Sequence, residues 1–193
     1  MVTTAFCWRI IAVNGVSMAT APLPENRMAA RMALVERHVA FENQHDLDGV
    51  LSTFGSSAEY QDSPWGLRYD GRDGVRTFYS QLMHALPDLN IAIQQRHVSD
   101  DAIVLEVMIR GTHLGAWKGL PATGRKVELP LCGVYTFDAN DRLAGEKIYY
   151  DRGTVLRQLG AFHEPNSIIG RATTALTHPV SMLRALLRGI FAK

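Results

Sequence analysis

The chain has 193 residues, 47% hydrophobic and 20% charged, with a formal net charge of +1. Those proportions fit one globular domain with tails, since domains most often run about 100 to 150 residues. A charge so near zero supplies no field for a nucleic acid, and two cysteines, Cys7 and Cys132, make neither a disulfide framework nor a metal-ligand spacing. No metal and no cofactor are implied by the seven histidines, which follow no ligand spacing, and a reduced, cytoplasmic setting is expected.

In chain order, residues 1–24 are expected to be a flexible N-terminal arm, too short in its apolar run for a signal peptide, with Met18 as an alternative start. Residues 25–46 read as a helix with Leu34 and Phe41 on one flank of an apolar face, and Met28, Met32, Val35 and Val39 on the other. His38 falls between the flanks and points inward. A short second helix is expected from an Asp46 N-cap through Val50, Leu51 and Phe54. Residues 59–66 give a short strand and a turn, and 70–74 a second turn that launches a helix over 75–86. Strands at 89–97, 102–112, 126–137 and 143–151 follow, separated by turn signals at 99–101 and 138–141. Helices followed by an antiparallel meander make an α+β domain, over residues 25–162, whose curved sheet leaves a pocket against the helices. A closing helix at 154–159 ends on Gly160.

Strand alternation sorts the candidate site residues. Tyr149 and Asp151 share a face with Leu143, whereas Glu146, Ile148 and Tyr150 share the other. His113 has the parity of Ile103, Leu105, Val107 and Ile109. The opposite face, with Glu106, Met108, Arg110 and Thr112, suits a cavity wall or a subunit contact. A carboxylate at an apolar wall has its pKa raised towards the range useful for proton transfer, which would suit Asp151, and Asp62 is a second carboxylate. Asp151 has a competing role as a helix cap or a partner of Arg152 or Arg157, and Asp62 as an Asx turn before Pro64. His38 and His113 are candidate electrophiles or proton relays, or else satisfied core histidines. Tyr60, Trp65, Trp117 and Tyr149, with Arg110, are candidate substrate contacts.

Two segments carry a family likeness. Gly111-Thr-His-Leu-Gly-Ala-Trp-Lys-Gly-Leu-Pro-Ala-Thr-Gly-Arg125 and Tyr149-Tyr-Asp-Arg-Gly-Thr-Val-Leu-Arg-Gln-Leu-Gly160 resemble the signature of SnoaL-like polyketide cyclases. These belong to the cone-shaped superfamily of nuclear transport factor 2 and ketosteroid isomerase. The resemblance implies a curved antiparallel sheet on about three N-terminal helices, and cofactor-free acid–base chemistry on a hydrophobic carbonyl compound. It gives Asp151 the general acid/base role in an intramolecular aldol closure, and His113 a place in the family's Gly-Thr-His-x-Gly pattern. Residues 37–49 and 60–66 are similar to the first third of ketosteroid isomerases, where the aspartate matching Asp62 is the base. That family's oxyanion-hole tyrosine falls at or near His38, and its protonated aspartate near Cys132 and Gly133, where no acid stands. The aspartate–arginine–aspartate trio of limonene epoxide hydrolases is broken, because Thr112 follows Arg110 where an acid is needed.

Other members of the superfamily only hold a hydrophobic ligand or another protein, so a binding or dimerisation module is the alternative, and a homodimer through the sheet is expected under either reading. Residues 163–193 form a C-terminal extension. Pro179 suits a first helical turn, and Leu183, Leu186, Leu187 and Ile190 make an apolar stripe beside Arg184, Arg188 and Lys193. Packing on its own domain or on a dimer neighbour is the favoured reading of that stripe, with a membrane surface as the alternative.

Overall fold

The computed structural model describes residues 24–164 and 166–191, so the expected arm lies, apart from Pro24, outside the described residues. Helix α1 (Glu25–Asn43) turns Arg31, Leu34, Val35, His38, Val39 and Glu42 inward, at the three-and-four spacing of one helical face. Half of that stripe is polar, so α1 carries three ionisable groups into the interior. Helix α2 (Leu47–Thr53) starts on Asp46, whose side chain accepts the Gly49 amide as the sequence led us to expect. Strand β1 (Phe54–Asp62), one 3-10 turn (Ser63–Trp65), strand β2 (Leu67–Asp70) and helix α3 (Gly71–Ala85) follow.

Strands β3 (Asn90–Val98), β4 (Ala102–Thr112), β5 (Lys126–Phe137) and β6 (Leu143–Tyr150) form the expected antiparallel meander. The six-stranded sheet has the order β2-β1-β6-β5-β4-β3 and is curved and unclosed. It differs from the expectation in being mixed, because β1 lies parallel to β6. No hairpin can join parallel neighbours, so no local turn signal announces that pairing. Phe54 opens β1 and does not continue α2; it shares the buried face of the strand with Ala58, Tyr60 and Asp62, and the pairing with β6 shifts register between Phe54 and Glu59.

Which face of the sheet looks inward is settled by burial. Ile103, Leu105 and Val107 of β4, Val127, Leu129, Leu131 and Tyr135 of β5, and Glu146 and Ile148 of β6 are buried, while Arg110, Glu128 and Tyr149 are exposed. Helix α4 (Arg152–Gln158) closes one end of the concave face by packing Val155, with Leu159 at its C-cap, on Val127 and Leu129. Burying those two side chains contributes roughly 2 kcal/mol each, which sustains a helix too short to persist in water alone. Two further helices, α5 (Ile168–Thr177) and α6 (Pro179–Phe191), make up the extension; α6 was expected and α5 was not.

Candidate functional site

Between the concave face and the helices lies an apolar cavity. Phe78, Leu82 and Leu86 wall it on the helix side, and Val107, Ile109, Leu131 and Ile148 on the sheet side. Trp117, Val155 and Leu159 border it as well. Into this apolar space project Asp62, His113, Glu42, Glu146, Tyr60, Tyr135 and Tyr150. A mainly apolar pocket with a few convergent polar groups is the usual form of a small-molecule site.

Asp62 ends β1 and is fully buried. Its Oδ1 accepts a hydrogen bond from the Tyr150 hydroxyl at 3.2 Å, and Lys118 Nζ forms an ion pair with Oδ2 at 2.8 Å. Burial, reinforced by the negative charge of Asp62, holds the Tyr150 hydroxyl well above the usual phenol range, so it stays a donor. Lys118 is nearly as buried as its partner. Its ammonium stands 5.6 to 5.9 Å from the ring centres of Trp65, Tyr69, Phe78 and Trp117 and donates to Tyr69 Oη at 3.4 Å. The several kcal/mol lost on desolvating an ammonium are offset by the ion pair and by ring faces contributing about 0.5 to 2 kcal/mol each.

The chain makes Lys118 reach this position through a tight turn. Trp117 and Leu120 exchange two 2.9 Å backbone hydrogen bonds, and the residues between them, Lys118 and Gly119, have φ of 50° and 81°. Two positive φ values are the mark of a two-residue hairpin turn. Glycine adopts one freely, while Lys118 accepts a left-handed backbone that costs a side-chain-bearing residue roughly 1 to 2 kcal/mol. Gly115 lets the same loop press on the end of α3, where a Cβ would lie 2.3 Å from the His84 carbonyl oxygen.

His113 stands at the root of that loop, where its amide donates to Arg125 O and Gly124 N donates to its carbonyl. The ring is fully buried. Nδ1 lies 3.0 Å from Thr123 Oγ1 and accepts from the Thr123 amide at 3.3 Å. With Nδ1 an acceptor, the ring proton resides on Nε2, and Nε2 is buried without any partner. Burial also holds the His113 pKa below the usual histidine value, so the ring is neutral. It therefore presents an unpaired N–H donor in a cavity lined by hydrocarbon.

A second polar group lies deeper. His38 Nδ1 is 2.7 Å from Thr53 Oγ1, which itself donates to Val50 O. His38 Nε2 is 2.9 Å from the Tyr79 hydroxyl, which donates to Glu146 Oε2 at 2.6 Å. Both partners have spent their protons, so both ring nitrogens donate and His38 is an imidazolium. Burial opposes that charge, but Glu42 and Glu146, 3.9 and 3.3 Å from Nε2, outweigh it and raise the His38 pKa. Burial likewise pushes the Glu42 carboxyl up to about 7, and its Oε2 accepts no hydrogen bond. Ligand atoms of His38, Glu42 and Glu146 lie within 4.8 Å of one another, the one such cluster among the described residues. With both His38 nitrogens donating, the cluster is a proton-holding network and does not fit a cation.

The remaining candidates fall elsewhere. Asp151 is exposed at the N-terminus of α4, where it accepts from the amides of Gly153 and Thr154 at 2.8 and 3.1 Å. The Thr154 hydroxyl, those amides and Arg157 hold its pKa below the usual carboxylate value, the reverse of the shift a buried base needs. It shares the outward parity of Tyr149, which is exposed under Lys147. Arg110 is exposed and paired with Glu128 at 2.7 Å. Tyr60 lines the cavity, stacked on Phe78 at 3.7 Å, whereas Trp65 does not line it and stands with its ring 6.0 Å from that of Trp117, which does. His38 lies behind the carboxylates and does not line the cavity. Glu42, Lys118, Glu146 and Tyr150 were not singled out from sequence. The signal for Glu42 was its place one turn after His38, and for Glu146 and Tyr150 their shared parity with Ile148.

Comparison with known proteins agrees with the architecture. The family model for SnoaL-like polyketide cyclases matches residues 32–159. AclR of Streptomyces galilaeus superposes with a TM-score of 0.62 at 21% identity, over 70% of this chain and 99% of that one. A SnoaL-like protein of Jannaschia sp. CCS1 gives 0.63 at 16% identity, over 73% and 99% of the two chains. SalBIII, an epoxide hydrolase/cyclase-like enzyme of pyran ring formation in the polyether salinomycin, gives 0.56 at 14%, over 64% and 92%. No curated protein matches the chain.

Proposed function

Since the chain belongs to the SnoaL-like polyketide cyclase family, we propose that it relocates a proton on a hydrophobic carbonyl compound and so closes a ring by intramolecular aldol addition. The observation that carries this reading is the pairing, in one apolar cavity, of the buried Asp62 carboxylate with the unpartnered Nε2–H of His113. The Asp62 carboxylate removes a proton from the carbon next to a carbonyl. His113 Nε2–H donates to the oxygen on which the enolate charge develops, an interaction that strengthens towards the transition state. The enolate carbon then attacks a second carbonyl of the same molecule, forming the carbon–carbon bond, and the new alkoxide takes the proton back from Asp62. Tyr150 and Lys118 hold the carboxylate in position. Double-bond migration uses the same first step, with the proton returned to a different carbon.

The test is turnover by the purified protein without added cofactor, read by absorbance and mass spectrometry. The panel holds anthraquinone-type polyketide methyl esters and a 3-oxo-5-ene steroid. Ring closure that disappears in Asp62→Asn and falls in His113→Ala supports the reading. Ring closure that persists in Asp62→Asn overturns it. One observation favours a second reading, a pocket that binds without reacting: Lys118 already neutralises Asp62 at 2.8 Å. That reading expects ligand to quench the fluorescence of Trp117 at the cavity wall while its mass stays unchanged.

A further inference from the structure

We infer that the C-terminal helical extension docks the protein on an anionic lipid surface. From Asn166 to the C-terminus the sequence contains no aspartate or glutamate, while Arg171, Arg184, Arg188 and Lys193 are basic. The chain as a whole is almost neutral, so this segment concentrates positive charge that the rest of the molecule balances elsewhere. The helices also leave their apolar side chains in solvent. Ile168 is 88% exposed and Leu176 81%, and Ile169, Val180, Leu183 and Leu187 lie between 45% and 60%. Packing on the chain's own domain, one half of the favoured expectation from sequence, would have covered these side chains; packing on a dimer neighbour, the other half, is separated by the test below.

The arrangement on α6 has the geometry of an interfacial helix. At about 100° per residue, Val180, Leu183 and Leu187 occupy one stripe, and Arg184 and Arg188 run along its edge, one turn apart. A helix lying in a membrane surface needs this pattern, with apolar residues facing the acyl boundary and guanidinium groups at headgroup depth. Helix α5 also carries exposed apolar residues on one side, with Ile169 and Leu176 seven residues apart, while Arg171 lies on its other side. No helix among the described residues is long and apolar enough to cross a membrane, so the mode is surface attachment. A protein partner with an apolar groove would cover the stripe equally well, but it would not call for a segment wholly free of acidic residues. Charge complementarity selects the anionic surface.

Co-sedimentation of the full chain with vesicles tests the inference. Each arginine near an anionic surface contributes about 1 kcal/mol, so Arg184 and Arg188 together raise partitioning roughly thirtyfold from phosphatidylcholine vesicles to vesicles containing phosphatidylglycerol. Raised salt should abolish the difference. The variant Leu183→Glu/Leu187→Glu should lose binding, and Arg184→Ala/Arg188→Ala should lose most of the preference for phosphatidylglycerol. Both substitutions lie on exposed positions away from the cavity, so the melting temperature and ligand binding should stay at wild-type values and certify the fold. Equal binding to both vesicle types, or binding to neither, overturns the inference. So does light scattering in the absence of lipid that shows the glutamate variant to be a monomer and the parent a dimer, since a second copy would then be what covers the stripe.

Discussion

At Asp62 burial and pairing are in tension with reactivity, and substitution separates them. Asp62→Asn keeps the shape of the side chain but leaves the Lys118 ammonium buried without its counter-charge, a loss of about 3 to 5 kcal/mol. Adding Lys118→Met removes the stranded charge, so the double variant should recover most of that stability in urea titration. Turnover should not recover with it, and should stay about 100- to 10,000-fold below the parent, the range of a lost general base. A double variant with restored turnover would remove Asp62 from the chemistry. Asp151 predicts the opposite pattern. Its carboxylate is engaged by the backbone of α4 in solvent, so Asp151→Ala should lower the melting temperature slightly while turnover per folded molecule stays constant.

Among the secondary-structure elements, one imidazolium ties the helical layer to the sheet. His38 of α1 reaches Thr53 of α2, Tyr79 of α3 and, through that hydroxyl, Glu146 of β6. Beside it Glu42 holds its proton up to about pH 7, against an ordinary 4.5. A raised carboxyl favours the folded state while it is protonated. Its contribution is complete below about pH 4.5 and is lost as pH rises towards 7. His38 is also raised, so its contribution is present below its ordinary 6.5 and declines at higher pH. Stability in urea should therefore fall between pH 5 and pH 7.5, and Glu42→Gln should flatten the part of that fall below pH 7. An unchanged slope would assign the titration to another group. Much of this layer was legible beforehand. The strand alternation of β3 to β6 and the inward face of α1 follow from apolar spacing and turn residues. Three features were hidden for physical reasons. The β1–β6 pairing has no connecting turn. Parity from sequence grouped Leu143 with Tyr149 and Asp151, but a register irregularity at the start of β6 buries Leu143 while Tyr149 is exposed, so alternation could not show that Asp151 points out. Lys118 sits in a two-residue turn, where no periodicity assigns a direction.

Taken across the whole molecule, the cavity, its closing helix and the extension should behave as separable parts. Val155 of α4 and Leu159 at its C-cap also line the cavity, so whatever fills the cavity also braces the element that closes it. A ligand that binds only the folded state adds stability by mass action, about 2.7 kcal/mol at a concentration 100 times its dissociation constant. A fused-ring ketone should therefore raise the melting temperature, and its carbonyl-free analogue should raise it less, because only the ketone can accept from His113 Nε2. In His113→Ala the ketone's advantage should vanish and the shift from the analogue should remain. The glutamate substitutions at Leu183 and Leu187 should leave both shifts as they are, since none of the described α6 side chains lines the cavity. Thermal melts of the three proteins with the two compounds settle the matter in one experiment. An advantage for the ketone that survives His113→Ala would show that the carbonyl is held elsewhere, at the Asp62–Lys118–Tyr150 end or beside the protonated Glu42, and would move the site of enolate charge with it.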